Sequence, residues 1–183
     1  MIIFISGGAR SGKSQFAEET ALSLFHKAKG KNHRATLYYI ATAKNSDDEM
    51  EERIRIHRKN RGIEWQTVEE SFDILPILIN CRQEDVILID CLTIWVSNVL
   101  FELGYSQERI EDAVSSWLRF AQEKQIHLLI VSNDVNEEIP FSDKAVLTYL
   151  YSLQRLHQKI VNQSELVVQL QAGIPTFWKG ELV

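Results

Sequence analysis

Lys13 and Ser14 close an octapeptide, Gly7-Gly8-Ala9-Arg10-Ser11-Gly12-Lys13-Ser14, whose residue types and spacing suit it to holding phosphate. It follows the pattern G-x-x-x-x-G-K-[ST], directly after a strand-like run and directly before a helix-like one. Glycines let successive backbone N–H groups curl around phosphate oxygens, and the helix that follows turns its positive end toward the same charge. Lys13 adds a mobile cation for the terminal phosphates of ATP or GTP. Ser14 offers a hydroxyl to Mg²⁺, a hard ion that prefers oxygen ligands and bridges phosphates. The other reading, a glycine turn that matches by chance, is made rare by composition. Val86-Ile87-Leu88-Ile89-Asp90 is the expected companion, an apolar strand ending in a carboxylate that reaches the magnesium shell through water. Alone it would be weak, because Asp often ends a strand as a turn former.

A second constellation lies in Asp47–Arg61, which begins acidic and ends basic, the polarity that a helix dipole favours. Helical spacing pairs Glu49 with Arg53 and Glu51 with Arg55, and it lines Arg53, His57 and Arg61 along one face. Cations beside His57 disfavour the imidazolium, so the ring is expected to be neutral and able to attack an electrophilic phosphorus. The same cations would steady phosphate charge as it moves. From the segment alone, a solvated charged helix with an incidental histidine is the better reading. His26, His33, His127 and His157 lack comparable surroundings and read as surface or packing residues.

The elements that must position these groups alternate. Buried strands are expected at Ile2–Ser6, Thr36–Ala41, Val86–Asp90, His127–Ser132 and Leu166–Leu170. Helices are expected at Lys13–Lys29, Asp47–Asn60, Ser71–Cys81, Gln107–Lys124 and Lys144–Asn162. Such β–α alternation calls for an α/β fold with a mostly parallel sheet and helices on both faces, with ligands at the carboxyl ends of the strands. The length of 183 residues and the lack of a Pro/Ser-rich linker predict one domain spanning 1–183. A net charge of −5 gives no global field for gripping nucleic acid or anionic lipid, so any polyanion must be held locally. Cys81 and Cys91 form neither a disulfide framework nor a zinc pattern, which fits a reducing cytoplasm. No apolar run is long enough for a membrane span, and the first residues do not read as a signal peptide. Trp65, Trp95, Trp117 and Trp178 are expected in the core or at a subunit interface.

Taken together, these residues resemble the bifunctional adenosylcobinamide kinase/adenosylcobinamide-phosphate guanylyltransferase family of cobalamin biosynthesis. The likeness lies in the phosphate loop with Ala17-Glu18, in Tyr39-Ile40-Ala41-Thr42-Ala43, and in Asp48-Glu49-Met50 through Arg61 with Trp65, Thr67 and Glu69. It continues through Asp90-Cys91-Leu92-Thr93-Ile94-Trp95-Val96-Ser97-Asn98, Val131-Ser132-Asn133 and Ala172-Gly173-Ile174-Pro175. The resemblance implies a P-loop NTPase-type, RecA-like sheet, with ATP or GTP and a corrinoid as substrates. By position, His57 is similar to the nucleophile that takes GMP as a phosphoramidate, and Lys13 to a catalytic lysine. Arg58, Lys59, Asn60, Arg61, Glu69 and Ala41, Thr42 and Ala43 fall at guanine-nucleotide contacts, and Ser14 and Asp90 at the metal. A homo-oligomer, plausibly a trimer, is also implied.

The second half departs from the family pattern. Asp134-Val135-Asn136-Glu137-Glu138-Ile139-Pro140 lacks two glycines, and the next helix carries Leu150-Tyr151, Gln154 and His157 where the family has arginine-aspartate, glycine and asparagine. Two other readings stay open at this point: a P-loop kinase of another small metabolite, with the basic helix as a phosphate-binding lid, or a nucleotide-binding regulatory subunit without turnover.

Overall fold

The computed structural model describes residues 1–44, 62–135 and 143–181. The expected helix Asp47–Asn60, with His57, Arg58, Lys59, Asn60 and Arg61, lies outside the described residues. In chain order the elements are β1 (Ile2–Gly7), α1 (Lys13–Lys31), β2 (Leu37–Ala41), β3 (Trp65–Glu69), α2 (Leu75–Asn80) and β4 (Val86–Asp90). There follow α3 (Leu92–Phe101), α4 (Gln107–Glu123), β5 (His127–Asn133), α5 (Lys144–Gln163), β6 (Leu166–Gln171) and β7 (Ile174–Lys179).

The strands form one seven-stranded sheet in the order β3-β2-β4-β5-β1-β6-β7. All neighbours are parallel except β6 and β7, which form an antiparallel hairpin. The all-apolar runs make sense in this setting, because a parallel strand covered on both faces has no wet side. Alternate residues go to opposite faces. Ile3, Ile5, Leu37, Tyr39, Val86, Leu88, Leu129 and Val131 pack with Ala17, Ala21, Phe25 and Ala28 of α1. Phe4, Ile40, Ile87, Ile89, Leu128 and Ile130 pack beneath α2–α5, where Trp95 and Trp117 meet edge to face at 4.4 Å. The sheet is therefore sandwiched between helices, as the alternation predicts.

The P-loop strand β1 and the carboxylate strand β4 are separated by β5, the RecA-like arrangement of P-loop NTPases. Five of the strands are those expected. The two further ones, β3 and β7, form the sheet edges, and α3 follows β4 without a loop. The helix expected over Ser71–Cys81 is shorter. Glu70 accepts hydrogen bonds from the backbone N–H of Phe72 and Asp73 through its Oε1 (2.8 and 3.0 Å), which winds that stretch into a turn, and Pro76 lies at the helix start. Pro is tolerated there because its missing N–H would be unsatisfied anyway. Among the described residues, no helix is long and apolar enough to cross a membrane.

Candidate nucleotide site

The octapeptide caps β1 at the carboxyl edge of the sheet and leads straight into α1. Gly7 is required by closeness: a Cβ there would lie 2.5 Å from the Leu170 carbonyl oxygen and 2.6 Å from Ser11 Oγ. Gly12, at φ 88°, is the N-cap of α1 and supplies no side-chain cap, and the first turn has no acidic residue. The positive end of α1 is thus left for an outside anion. Backbone bonds fix the loop from two sides, from Asp134 N–H to the Gly7 carbonyl (3.1 Å) and from Gly173 N–H to the Ser11 carbonyl (2.9 Å). Lys13 Nζ folds back onto the Gly8 carbonyl at 3.1 Å.

Ser11 is 6% exposed, and its hydroxyl finds no partner among the described residues. A buried hydroxyl without a partner costs about 1–3 kcal/mol, and a phosphate oxygen in the cradle would satisfy it. The loop opens on a cavity of ≈ 350 Å³ lined by Gly8, Ala9, Arg10 and Ser11 on one side and by Asp134 and Gln169–Ala172 on the other.

The neighbouring strand ends are held differently, by side chains. Ala41 is in register with Asp90 on one side and with Glu69 on the other, so three of the expected site residues share one level of the sheet edge. Tyr39 donates its hydroxyl to Asp90 Oδ2 at 2.8 Å. Thr42 is fully buried, and its Oγ1 both donates to the Cys91 carbonyl and accepts from Cys91 N–H, each at 2.8 Å. Asn98 of α3 donates to the Thr42 and Ser71 carbonyls at 2.9 and 3.2 Å. The Thr42 hydroxyl is thus committed to a latch between strand ends, while Ala43 is half-buried and Glu69 exposed.

Burial and the Asp90 carboxylate push the Cys91 thiol up to about 11, and the Lys13 ammonium acts against that rise. The thiol is therefore an inert buried group.

At the end of β5, Ser132 Oγ contacts Thr93 Oγ1 (3.1 Å) and His157 Nε2 (2.7 Å), and Thr93 Oγ1 accepts from Asn133 N–H (2.8 Å). Burial against Phe4 and Ser132 pushes His157 down to about 4, despite the opposing pull of Asp134. It is a packing histidine, as its sequence surroundings suggest. Asp134 Oδ2 accepts from Gln169 Nε2 at 2.9 Å. Tyr39, Asp134 and Gln169 do not figure among the sequence candidates. Tyr39 and Asp134 lie inside quoted stretches, but Asp134 and Gln169 become neighbours only through the pairing of β1 with β5 and β6.

Comparison with known proteins finds relatives over nearly the whole chain. The bifunctional adenosylcobalamin biosynthesis protein CobP of Pseudomonas aeruginosa is 33% identical over 178 residues, covering 97% of this chain and 96% of that protein. The corresponding CobU proteins of Salmonella typhimurium and Escherichia coli are 30% and 29% identical over 187 residues, covering 95% of this chain and 97% of each. Among solved structures, the RadB recombinase aligns with a TM-score of 0.49 at 13% identity, over 92% of this chain and 73% of that one. A model of the family described as cobinamide kinase / cobinamide phosphate guanyltransferase matches residues 3–177, and the chain belongs to that family.

Proposed function

We propose that this protein phosphorylates the free hydroxyl of adenosylcobinamide with ATP or GTP, then joins GMP from GTP to the resulting phosphate through His57. Near-full-length family membership, with a phosphate cradle whose buried Ser11 hydroxyl awaits an acceptor, carries the reading. In the first reaction the loop N–H groups, the α1 N-terminus and Lys13 hold the triphosphate and stabilise charge as the γ-phosphoryl group leaves.

The donor set fits Mg²⁺, because Ser14 and Asp90 offer hard oxygens and Tyr39 orients the carboxylate through Oδ2. When bound with the nucleotide, the ion would neutralise phosphate charge. In the second reaction a neutral imidazole nitrogen of His57 forms a bond to the α-phosphorus of GTP as the bond to pyrophosphate breaks. A phosphate oxygen of the cobinamide phosphate then displaces the histidine from that phosphorus. Arg58, Lys59, Asn60, Arg61, Glu69 and Ala41–Ala43 are the proposed nucleotide contacts.

One nucleotide-binding domain in the cytoplasm suffices for both reactions, and the apolar edge strand β7, with Ile174, Phe177 and Trp178 exposed, supports a homo-oligomer. Incubation with α-labelled GTP should leave an acid-labile label that His57→Ala abolishes. An active protein that takes up no label overturns the guanylyl step.

A further inference from the structure

Two cavities meet at the end of β5. The first is the ≈ 350 Å³ cavity over the phosphate loop. The second, ≈ 310 Å³, has an apolar wall made by Val135, Val146, Tyr149 and Leu150, with Asn133 at its edge. Ala9 and Asp134 line both, and among the described residues Asp134 is the only carboxylate lining either. Its position is set by backbone and side chain together. Its N–H donates to the Gly7 carbonyl (3.1 Å), and Oδ2 accepts from Gln169 Nε2 (2.9 Å). Trp178 Nε1 donates to Gln169 Oε1 at 3.1 Å. An indole N–H can only donate, so it fixes which end of the Gln169 amide faces Asp134. Oδ1 has no hydrogen-bond partner among the described residues.

A carboxylate held at one oxygen, between a phosphate cradle and an apolar recess, sits where a phosphoryl acceptor must arrive. We infer that the recess is the acceptor-alcohol site of the kinase reaction and that Asp134 is the base that receives the hydroxyl proton. The inference rests on the function proposed above and assigns the acceptor side of that site. The volume suits the short hydroxyl-bearing arm of the acceptor rather than a corrin body. Val146 and Leu150 meet its hydrocarbon, and Asn133 offers an amide to its amide. As the alcohol oxygen bonds to the γ-phosphorus, the bond to the β,γ-bridging oxygen breaks. The nucleoside diphosphate leaves, and the hydroxyl proton passes to Oδ1. Gln169 is a positioning residue that holds the Asp134 carboxylate through Oδ2.

The test is steady-state transfer of label from γ-labelled ATP to adenosylcobinamide by the full chain, with ATP binding measured separately by calorimetry. Asp134→Asn should lower kcat by about 10²–10⁴-fold, the range of a lost general base, with ATP still bound. The decline of wild-type kcat toward acid pH should vanish in this variant. Gln169→Leu should lower kcat while leaving KM for ATP unmoved, as loss of a group that only positions the base implies. Leu150→Arg should raise KM for the corrinoid by about tenfold or more, as loss of an apolar contact and a steric block imply, with KM for ATP unmoved.

A kcat for Asp134→Asn within about threefold of wild type, below what loss of a base costs, overturns the assignment. Loss of ATP binding in parallel with activity overturns it too, because the role would then be structural. If the wild type transfers no label, the proposed function falls and this inference with it; if the wild type does and Asp134→Asn matches it, only the inference falls.

Discussion

The two sides of the sheet edge are built by different means. Around β1, the loop is shaped by main chain: Gly7 against Leu170, Gly12 at the head of α1, and N–H groups of Asp134 and Gly173 on loop carbonyls. Around β4 and β2, the strand ends are tied by side chains, through Tyr39, Thr42 and Asn98. A main-chain cradle presents N–H groups to any phosphate and has little to tune, whereas a side-chain latch sets the direction of one particular carboxylate. The first suits a binding function common to all nucleotides, and the second a position tied to this reaction.

Substitutions can separate the two. Gly7→Ala should have the largest effect, because its methyl group would have to displace backbone at 2.5 Å; we expect a loss of about 3 kcal/mol in urea unfolding, together with GTP binding. Retained GTP affinity in this variant would break the idea of a main-chain cradle. Thr42→Val keeps shape but leaves both the N–H and carbonyl of Cys91 without their partner, at a cost of about 2 kcal/mol. GTP affinity should change less than in Gly7→Ala, because the latch touches Asp90 and not the loop. A loss below ~0.5 kcal/mol, smaller than one net hydrogen bond, would show that the latch is incidental.

The smallest effect concerns pH. His157 is held near 4 against an ordinary value of 6.5, so between these values the unfolded chain binds more protons than the folded one. Stability should therefore be fully present above pH 6.5 and fall as pH drops toward 4. The whole shift corresponds to about 3 kcal/mol, reduced to ~2 by partial solvent access. His157→Gln should flatten urea midpoints across that window relative to wild type, and equal slopes in both proteins would refute the assignment.

Much of this was legible in the sequence, for particular reasons. The phosphate loop announces itself because only glycine fits its close approaches, and the five interior strands because burial on both faces makes them uniformly apolar. The edge strands escape for the opposite reason. Trp65–Glu69 is largely wet, and Ile174–Lys179 carries Pro175 and exposed aromatics, so neither shows a clean period. Helix α3 is mostly buried and rich in β-branched residues, which hides its period too. Asp90 is visible as a strand-terminal carboxylate. Asp134 and Gln169 are 35 residues apart, and only the sheet order makes them a pair. The acidic-to-basic segment bearing His57 was read from its charge pattern and family likeness, and lies outside the described residues.

The placement of β1 bears on how the protein comes to be made. β1 sits between β5 and β6, strands far later in the chain. Its loop then takes its final bond from Gly173. A partly synthesised chain therefore carries the complete glycine motif yet has nothing to hold it in shape, and contacts so distant along the chain are slow to form. Nucleotide affinity should emerge only once the chain through Gly173 has been synthesised and β5 and β6 can close around β1.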